Sequence, residues 1–271
     1  MMPVLFSIGT IHIYSLSVAL VVAWLVFSFL FWRALRSQGV DEEHTFDLEF
    51  YSTLSAFVCA RAAYVLTNFP IFKGDILRIA AIWVVPGMSL YGALFGGLAV
   101  LVYLSRRYKV RLGHVLDAVA LSFSWAYVFG LVGVFLDGSY VGVASTMPWA
   151  VRFVGHLGKR HPVELYELIA MIVILIISGF LSRRAAARKW PYGLLGLWFF
   201  AMLSVSEFVL EFFKDTHVYL GHLRANQWVL VALFAETMGA FYVRGGGREF
   251  LRPLINRVRG GIYGKFSKRR T

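Results

Sequence analysis

The sequence has little cysteine and little charge. Cys59 is its only cysteine among 271 residues, so an internal disulfide is excluded, and we expect a free, buried and unreactive thiol. Charged residues make up only 15% of the chain, whereas an ordinary soluble domain has about 25%. Hydrophobic residues reach 59% and aromatic residues 17%. This composition argues against a soluble domain and favours a membrane protein.

The chain also lacks basic residues at its start. No Lys or Arg precedes Arg33, and no small-residue cleavage site follows the first apolar run. A cleaved signal peptide normally has both features. We therefore expect the first apolar run to remain in the mature protein.

Apolar runs recur along the sequence, and several reach the roughly 20 residues that a helix needs to cross a bilayer. We predict membrane-spanning helices at 13–32, 46–67, 88–104, 115–136, 163–181, 193–213 and 228–243. The predicted fold is an all-α integral membrane protein, in which residues 1–243 form a seven-transmembrane-helix bundle.

The distribution of basic residues predicts the orientation of this bundle. Nineteen of the 27 Lys and Arg residues lie after the first, third and fifth spans or in the C-terminal tail, and seven lie in the other connections. Cytoplasmic loops collect basic residues. We therefore expect the N-terminus outside and the C-terminus in the cytoplasm, with the connection 137–162 as a small external cap and 68–87 along the outer interface.

The net charge of +12 raises the question of a nucleic-acid partner, but much of it lies in the tail 244–271. Apolar and basic residues would share a short helix there, at Phe250, Leu251, Leu254, Ile255 and Val258 on one face, beside Arg248, Arg252, Arg257 and Arg259. That pattern is typical of an interfacial helix on anionic lipid. We predict a basic cytoplasmic tail on the membrane and no nucleic-acid partner.

Ionisable residues inside membrane spans cost about 2.5–3.5 kcal/mol each on insertion scales and indicate function by default. With the predicted orientation, Arg61 and the carboxylates of Glu164, Glu167, Glu207 and Glu211 converge at the outer ends of their helices. Two interpretations remain open. These residues form either a buried ion-pair network that holds Arg61 or a functional site.

The segment LYGALFGG at 90–97 contains three glycines. Small residues let the backbones of two membrane helices approach closely. We therefore expect Gly92, Gly96 and Gly97 to lie in a helix interface.

Six short motifs follow one another along the chain: FSIG at 6–9, RAAYVLTNFP at 61–70, GMSLYGALFGG at 87–97, PWAVRF at 148–153, RHPVELYE at 160–167 and EFFKD at 211–215. In this order and spacing the sequence resembles the prolipoprotein diacylglyceryl transferases, from Phe6 to about Gly239. The resemblance implies a multi-pass enzyme of the bacterial cytoplasmic (inner) membrane. Such an enzyme moves a diacylglyceryl group from phosphatidylglycerol to the thiol of a lipobox cysteine.

The resemblance also implies partners and a site. The partners would be phosphatidylglycerol or another anionic phospholipid and lipobox-containing precursor proteins, and neither a cofactor nor a metal is implied. The catalytic residues would be Tyr91, Arg61 and His161. The substrate-binding residues would be Arg61, Gly92, Gly138, Gly142, Arg160, His161, Glu164, Glu211 and Gln227.

The sequence departs from the family pattern at several positions, and at three of them Tyr91 replaces a His and Leu131 and Glu207 replace two Arg residues. The chemistry needs a base for the thiol proton, since the thiolate is the nucleophile, and cations for the phosphate. Glu207 reverses a charge beside an anionic substrate. We expect Glu207 to pair with Arg61 or to remain protonated.

Two hypotheses from different classes follow. The first is a divergent diacylglyceryl transferase that uses Arg61, Arg160, His161 and Tyr91 in rearranged roles. The second is a catalytically inactive relative that binds lipid, a lipoprotein precursor or another membrane protein.

Overall fold

The computed structural model describes residues 4–245 except 10, 83, 86, 139–140, 154 and 216–218. For residues 8, 11, 90, 91, 219 and 220 it describes the backbone alone. The helices are α1 Ser15–Ser37, α2 Glu42–Thr67, α3 Phe69–Phe72, α4 Leu77–Ala80, α5 Leu90–Arg107, α6 Leu112–Asp137, α7 Val163–Ala187, α8 Leu194–Leu210 and α9 Ala225–Arg244. The strands are β1 Val4–Ile8, β2 Ile11–Tyr14, β3 Tyr219–Leu220 and β4 Leu223–Arg224.

The described residues are mostly helical, as expected for an all-α membrane protein, and a short hairpin that we did not predict lies at the N-terminus. Strands β1 and β2 pair antiparallel, with Phe6 opposite Ile13. Gly9, between them, has φ +60, a left-handed conformation that glycine adopts without steric cost. The first helix therefore begins at Ser15, two residues after the predicted start, and the fold is mostly helical with two small hairpins.

The membrane character of the chain is confirmed. Four of the described helical segments are long and apolar enough to cross a bilayer: Ser15–Ser37, Leu112–Asp137, Val163–Ala187 and Leu194–Phe213. The other three predicted spans coincide with α2, α5 and α9, which have 26, 18 and 20 residues. Helix α2 starts before its predicted span, because Glu42 and Glu43 form its first turn. Carboxylates stabilise a helix at this end, which is the positive end of the helix dipole.

The described part of the chain divides into two compact units, one of residues 28–122 and the other of the described residues before 28 and after 122. In the unit 28–122, α5 packs on α2 through its glycines. A Cβ atom on Gly92 would lie 2.4 Å from the carbonyl oxygen of Cys59, and one on Gly96 would lie 2.4 Å from the Cβ of Cys59. Ser55 Oγ donates a hydrogen bond of 3.0 Å to the Gly96 carbonyl. The predicted helix interface is therefore confirmed, and Cys59 is free but only partly buried.

The other unit contains a similar close approach between α1 and α6. A Cβ atom on Gly133 would lie 2.2 Å from the Cβ of Ala19. The segment that follows α6 is held by backbone hydrogen bonds to the end of α8: Val143 N donates to Phe213 O over 2.9 Å and Asp215 N donates to Val141 O over 2.9 Å. This pairing brings residues 141–161 to the short 3-10 turn Glu211–Phe213.

The predicted interfacial helix of the tail falls on residues 248–259, which lie outside the described residues. The described structure ends one residue after α9, at Gly245.

Candidate functional site

A lysine surrounded by carboxylates forms the centre of the candidate site in the unit that contains α7, α8 and α9. Lys214 Nζ lies 2.6 Å from Glu167 Oε1, 3.4 Å from Glu207 Oε2 and 3.4 Å from Glu211 Oε2. Lys214 comes after the 3-10 turn that ends α8. That turn carries its side chain back over the last turn of α8, where Glu207 lies.

All members of this cluster are withdrawn from solvent. The side chains of Glu167 and Glu211 are each 2% exposed, that of Lys214 is 12% exposed and that of Glu207 is 13% exposed. Burial lowers the pKa of the Lys214 ammonium, but the carboxylates of Glu167 and Glu207 raise it more, so the net shift is upward. Lys214 therefore remains a cation.

Two further groups donate hydrogen bonds to the carboxylates. Tyr127 donates its hydroxyl hydrogen to Glu207 Oε1 over 3.1 Å, and Asn226 Nδ2 donates to Glu211 Oε1 over 3.3 Å. Tyr127 lies on α6 and Asn226 on the first turn of α9. The cluster thus joins α6, α7, α8 and α9.

The cation beside Glu207 corrects our expectation. We expected Glu207 to pair with Arg61 or to remain protonated, and the structure pairs it with Lys214. Lys214 reaches Glu211 and Glu207 because it lies three residues after the first and seven after the second, and Glu167 approaches the same ammonium from α7.

Arg61 is held by backbone carbonyls in the unit 28–122. Its Nε donates to Ile79 O over 2.8 Å, its Nη2 donates to Arg78 O over 2.8 Å, and its Nη1 donates to Val85 O and Gly87 O over 2.9 and 3.0 Å. The side chain is buried, and its guanidinium carbon lies 5.2 Å from the ring centre of Phe72. Arg61 therefore fixes the connection between α2 and α5.

Arg160 and Asp215 form a second ion pair near the lysine cluster. Arg160 Nη1 lies 2.6 Å from Asp215 Oδ2 and also donates to the Gly142 carbonyl over 3.1 Å. Gly142 and Lys214 face each other in an isolated antiparallel bridge. The pair thus anchors the segment 141–161 beside Lys214.

His161 lies at the start of α7 among aromatic side chains. Its Nδ1 is 2.9 Å from the hydroxyl oxygen of Tyr166, and its ring centre is 5.4 Å from that of Phe213. Trp149 Nε1 donates to the same Tyr166 oxygen over 2.7 Å. A Cβ atom on Gly142 would lie 2.2 Å from the His161 carbonyl oxygen, so only glycine fits there.

The remaining predicted site residues have identifiable positions. Glu164 is buried in the first turn of α7. Gly138 follows α6 with φ +76, and its N–H donates to Val134 O over 2.8 Å.

Gln227 is buried and closes the start of α9. Its Oε1 accepts from Arg224 N over 3.0 Å, and its Nε2 donates to Phe208 O over 3.4 Å. The structure therefore brings Arg160, His161 and Glu211 close to Lys214, and it gives Gly138 and Gln227 roles at helix ends.

A comparison with known families is decisive. Residues 3–243 match the family described as prolipoprotein diacylglyceryl transferase. That stretch runs from the first hairpin to the last turn of α9. The chain belongs to this family.

Several relatives carry the name phosphatidylglycerol–prolipoprotein diacylglyceryl transferase. The protein of Zymomonas mobilis is 30% identical over 82% of this chain and 81% of its own length. That of Wolbachia pipientis subsp. Culex pipiens is 27% identical over 83% of this chain and 86% of its own length. That of Methylococcus capsulatus is 34% identical over 65% of this chain and 67% of its own length.

Tyr91, Leu131 and Glu207, which depart from the diacylglyceryl transferase pattern, lie in different surroundings. Tyr91 belongs to the first turn of α5, and its side chain is not among those described. Leu131 is buried in α6, at 3% exposure. Glu207 belongs to the lysine cluster. At Leu131 and Glu207 this chain therefore presents an apolar group and a carboxylate where the resemblance implies guanidinium groups.

The residues that connect the site were not predicted from the sequence. Lys214 and Asp215 end the motif EFFKD and Tyr166 lies in RHPVELYE, so the diacylglyceryl transferase motifs were recognised while these side chains were not. The spacing of three between Glu211 and Lys214 was a usable signal, because residues so spaced are neighbours on a helical turn. Trp149 likewise lies in the motif PWAVRF, whereas nothing in the sequence indicated Tyr127.

Proposed function

We propose that this protein transfers a diacylglyceryl group from phosphatidylglycerol, or another anionic phospholipid, to the cysteine thiol of a lipobox-containing precursor. The observation that carries the proposal is the family match over residues 3–243, which includes the motifs around His161 and Glu211. Relatives that carry the name of this activity align over more than four-fifths of the chain.

The reaction exchanges one bond of the lipid for another. The thiol sulfur forms a C–S bond to the glycerol carbon as the C–O bond between that carbon and the phosphate breaks. The thiol proton passes to a base, and glycerol phosphate leaves as the anion. A base and a cationic or hydrogen-bonding environment for the phosphate are therefore both required.

In our proposal a group of retained residues lies beside the lipid phosphate, and the replaced residues slow the reaction. Arg160, His161 and Gly142 come together beside the turn after α8. Arg61 orders the connection 68–87 near the glycine-rich start of α5, where Gly92 lies. Tyr91 takes the position of the base, and a phenol with an ordinary pKa of about 10 accepts the thiol proton less readily than an imidazole.

A second function is favoured by the lysine cluster. One ammonium faces three buried carboxylates, Glu167, Glu207 and Glu211, so this part of the site carries an excess of negative charge. A phosphate is repelled by such surroundings, and low dielectric strengthens the repulsion. The alternative is a non-catalytic protein that binds lipid, a lipoprotein precursor or another membrane protein.

The proposal includes a membrane arrangement. We place α1, α2, α5, α6, α7, α8 and α9 across the bacterial cytoplasmic membrane as seven spans, with the N-terminus outside and residues 244–271 as a basic cytoplasmic tail that lies on anionic lipid. The four segments of sufficient length and apolarity support the multi-pass arrangement, and the distribution of Lys and Arg supports the orientation.

Complementation distinguishes the two functions. A bacterial strain depleted of its own diacylglyceryl transferase should regain growth and lipidated precursor when it expresses this chain. The relative from Zymomonas mobilis is the positive control, and Gly142→Val, which cannot fit beside the His161 carbonyl, is the negative control. Membrane insertion without any lipidated precursor would select the non-catalytic function.

A further inference from the structure

Three aromatic side chains around α7 form a continuous hydrogen-bonded row. Trp149 Nε1 donates to the hydroxyl oxygen of Tyr166 over 2.7 Å. The same oxygen is 2.9 Å from Nδ1 of His161. The row therefore runs from Trp149 through Tyr166 to His161.

The number of hydrogens favours one direction for the second bond. An indole N–H only donates, whereas a phenol has one hydrogen to donate and an oxygen that accepts. Within the part of the chain that the structure describes, the Tyr166 hydroxyl makes no third hydrogen bond. The arrangement that gives this hydrogen a partner is the one in which the oxygen accepts from Trp149 and the hydrogen goes to Nδ1 of His161.

Nδ1 is then the unprotonated nitrogen of the imidazole, and in a neutral imidazole the other nitrogen carries the hydrogen. Among the described residues, no partner is hydrogen bonded to His161 Nε2. The Nε2–H group is thus available to a ligand.

The ring of His161 is also fixed in place. Its centre lies 5.4 Å from that of Phe213 and 5.9 Å from that of Tyr166, both at steep angles. The His161 backbone N–H donates to Val143 O over 3.1 Å, and Gly142 permits close approach to the His161 carbonyl. Backbone and side-chain contacts together define where Nε2 lies.

We propose that Tyr166, held by Trp149, positions His161 as a neutral hydrogen-bond donor whose Nε2–H contacts a phosphate or ester oxygen of the phospholipid. Tyr166 is a positioning residue that acts through His161. This inference rests on the proposed function for the identity of the ligand, whereas the tautomer of His161 depends on the structure alone.

The inference changes the role of His161 in the reaction. A nitrogen that already carries a hydrogen does not accept the thiol proton, so His161 stabilises the departing phosphate and another group serves as the base. This role suits a site that has lost cationic groups at positions 131 and 207, because a neutral donor still stabilises developing negative charge.

The tautomer is measured directly by 15N NMR. The full chain, labelled at histidine nitrogen, is studied in detergent micelles at about pH 8, above the ordinary imidazole pKa, and His161→Gln identifies the resonances of His161. We expect a hydrogen on Nε2 and none on Nδ1 in the unmodified protein. Tyr166→Phe should lose this preference, and Trp149→Phe should weaken it, while Tyr103→Phe at an exposed site should leave it unchanged.

Activity supplies the second measurement. Glutamine at position 161 offers an amide nitrogen near the place of Nε2, whereas asparagine offers one near the place of Nδ1. We therefore expect His161→Gln to lose clearly less transfer activity than His161→Asn, and Tyr166→Phe to lose about tenfold, as for one hydrogen bond. His156→Gln, at an exposed site of the same segment, is the control.

The outcomes separate this inference from the proposed function. A hydrogen on Nδ1 in the unmodified protein, or greater activity in His161→Asn than in His161→Gln, overturns the inference. The expected tautomer in a protein without any transfer activity supports the positioning role and rejects the proposed function.

Discussion

Lys214 Nζ lies 2.6 Å from Glu167 Oε1 and so links the turn after α8 to the first turns of α7. The two residues are both nearly buried, and Glu207 and Glu211 approach the same ammonium. Removing one partner of a buried ion pair costs more than the pair contributes, because the other charge is left without compensation. The stability of this unit should therefore depend strongly on Lys214.

The first prediction concerns Lys214→Met, which keeps a long side chain and removes the charge. We expect a loss of about 3–5 kcal/mol in the free energy of unfolding, measured by thermal unfolding in detergent. Lys159→Met is the control, because Lys159 is exposed in the same unit, and it should change stability by less than about 0.5 kcal/mol. Equal effects of the two substitutions would contradict the role of Lys214.

The raised pKa of Lys214 adds a test by pH. The pKa of Lys214 is higher in the folded protein than in the unfolded chain, so the charged ammonium stabilises the folded state. This stabilisation is complete below the unfolded pKa of about 10.4. It is lost as the pH rises through the folded pKa. Unfolding temperature should therefore fall above about pH 10.4 in the unmodified protein, and it should fall less steeply in Lys214→Met.

The second prediction concerns Arg61→Lys. Lysine keeps the charge but lacks the planar fork that reaches four carbonyls at once, so most of the hydrogen bonds to Arg78, Ile79, Val85 and Gly87 should be lost. We expect a loss of about 2–4 kcal/mol and faster hydrogen exchange over residues 68–87. Arg78→Lys is the matched control, because the Arg78 side chain is exposed and pairs with Asp75 across 3.0 Å. If exchange in this segment is the same in both variants, Arg61 does not order it.

The third prediction concerns the glycines of α5. Gly92→Ala should destabilise the packing of α5 on α2, since its Cβ atom would lie 2.4 Å from Cys59 O and backbone cannot move aside easily. Gly179→Ala is the control, because nothing lies within 4 Å of a Cβ atom there and alanine favours a helix by about 1 kcal/mol. Unfolding temperatures should fall for the first variant and stay the same or rise for the second.

These residues show how far sequence predicts this structure. Long helices follow from apolar runs, and the interface of Gly92 and Gly96 follows from residue size, because both are properties of one segment. The motifs also identified the family. The hairpin of residues 4–14 was missed, since a short apolar strand and the start of an apolar helix have the same hydropathy.

Side-chain partners were predicted less well, for a physical reason. Hydropathy gives the depth of a residue in a membrane but not the direction in which its side chain points. Glu207 was expected to pair with Arg61 or to remain protonated, but Arg61 donates to backbone carbonyls and Glu207 lies beside Lys214. The partners of such side chains depend on where turns place backbone carbonyls and neighbouring side chains. Composition does not reveal these positions.

The fourth prediction concerns the topology. In a variant with Cys59→Ser, a cysteine introduced at Ser145 should react with a membrane-impermeant reagent in intact cells, because the segment 141–161 is proposed to lie outside. A cysteine introduced at Lys268 should react only after the membrane is opened, because basic tails remain in the cytoplasm. The reverse pattern would reject the orientation.

The fifth prediction concerns the charge beside the proposed phosphate site. In the unmodified protein one ammonium faces three carboxylates, whereas Glu207→Arg leaves two cations facing Glu167 and Glu211. Leu131→Arg alone should be destabilising, because it places a charge at a position that is 3% exposed. Together the substitutions restore both guanidinium groups that the family resemblance implies.

We expect slow phosphatidylglycerol-dependent transfer by the unmodified protein and faster transfer by the variant with Glu207→Arg and Leu131→Arg. A supplied arginine accelerates phosphoryl transfer by about 10³–10⁵, which sets an upper scale for the gain. Glu207→Gln separates the two effects, since it removes the negative charge without adding a cation and should gain less. Transfer by the unmodified protein at the rate of the Zymomonas mobilis relative would show that the replaced residues are not needed. No transfer by any variant would direct attention to Tyr91, because the thiol would still lack an effective base.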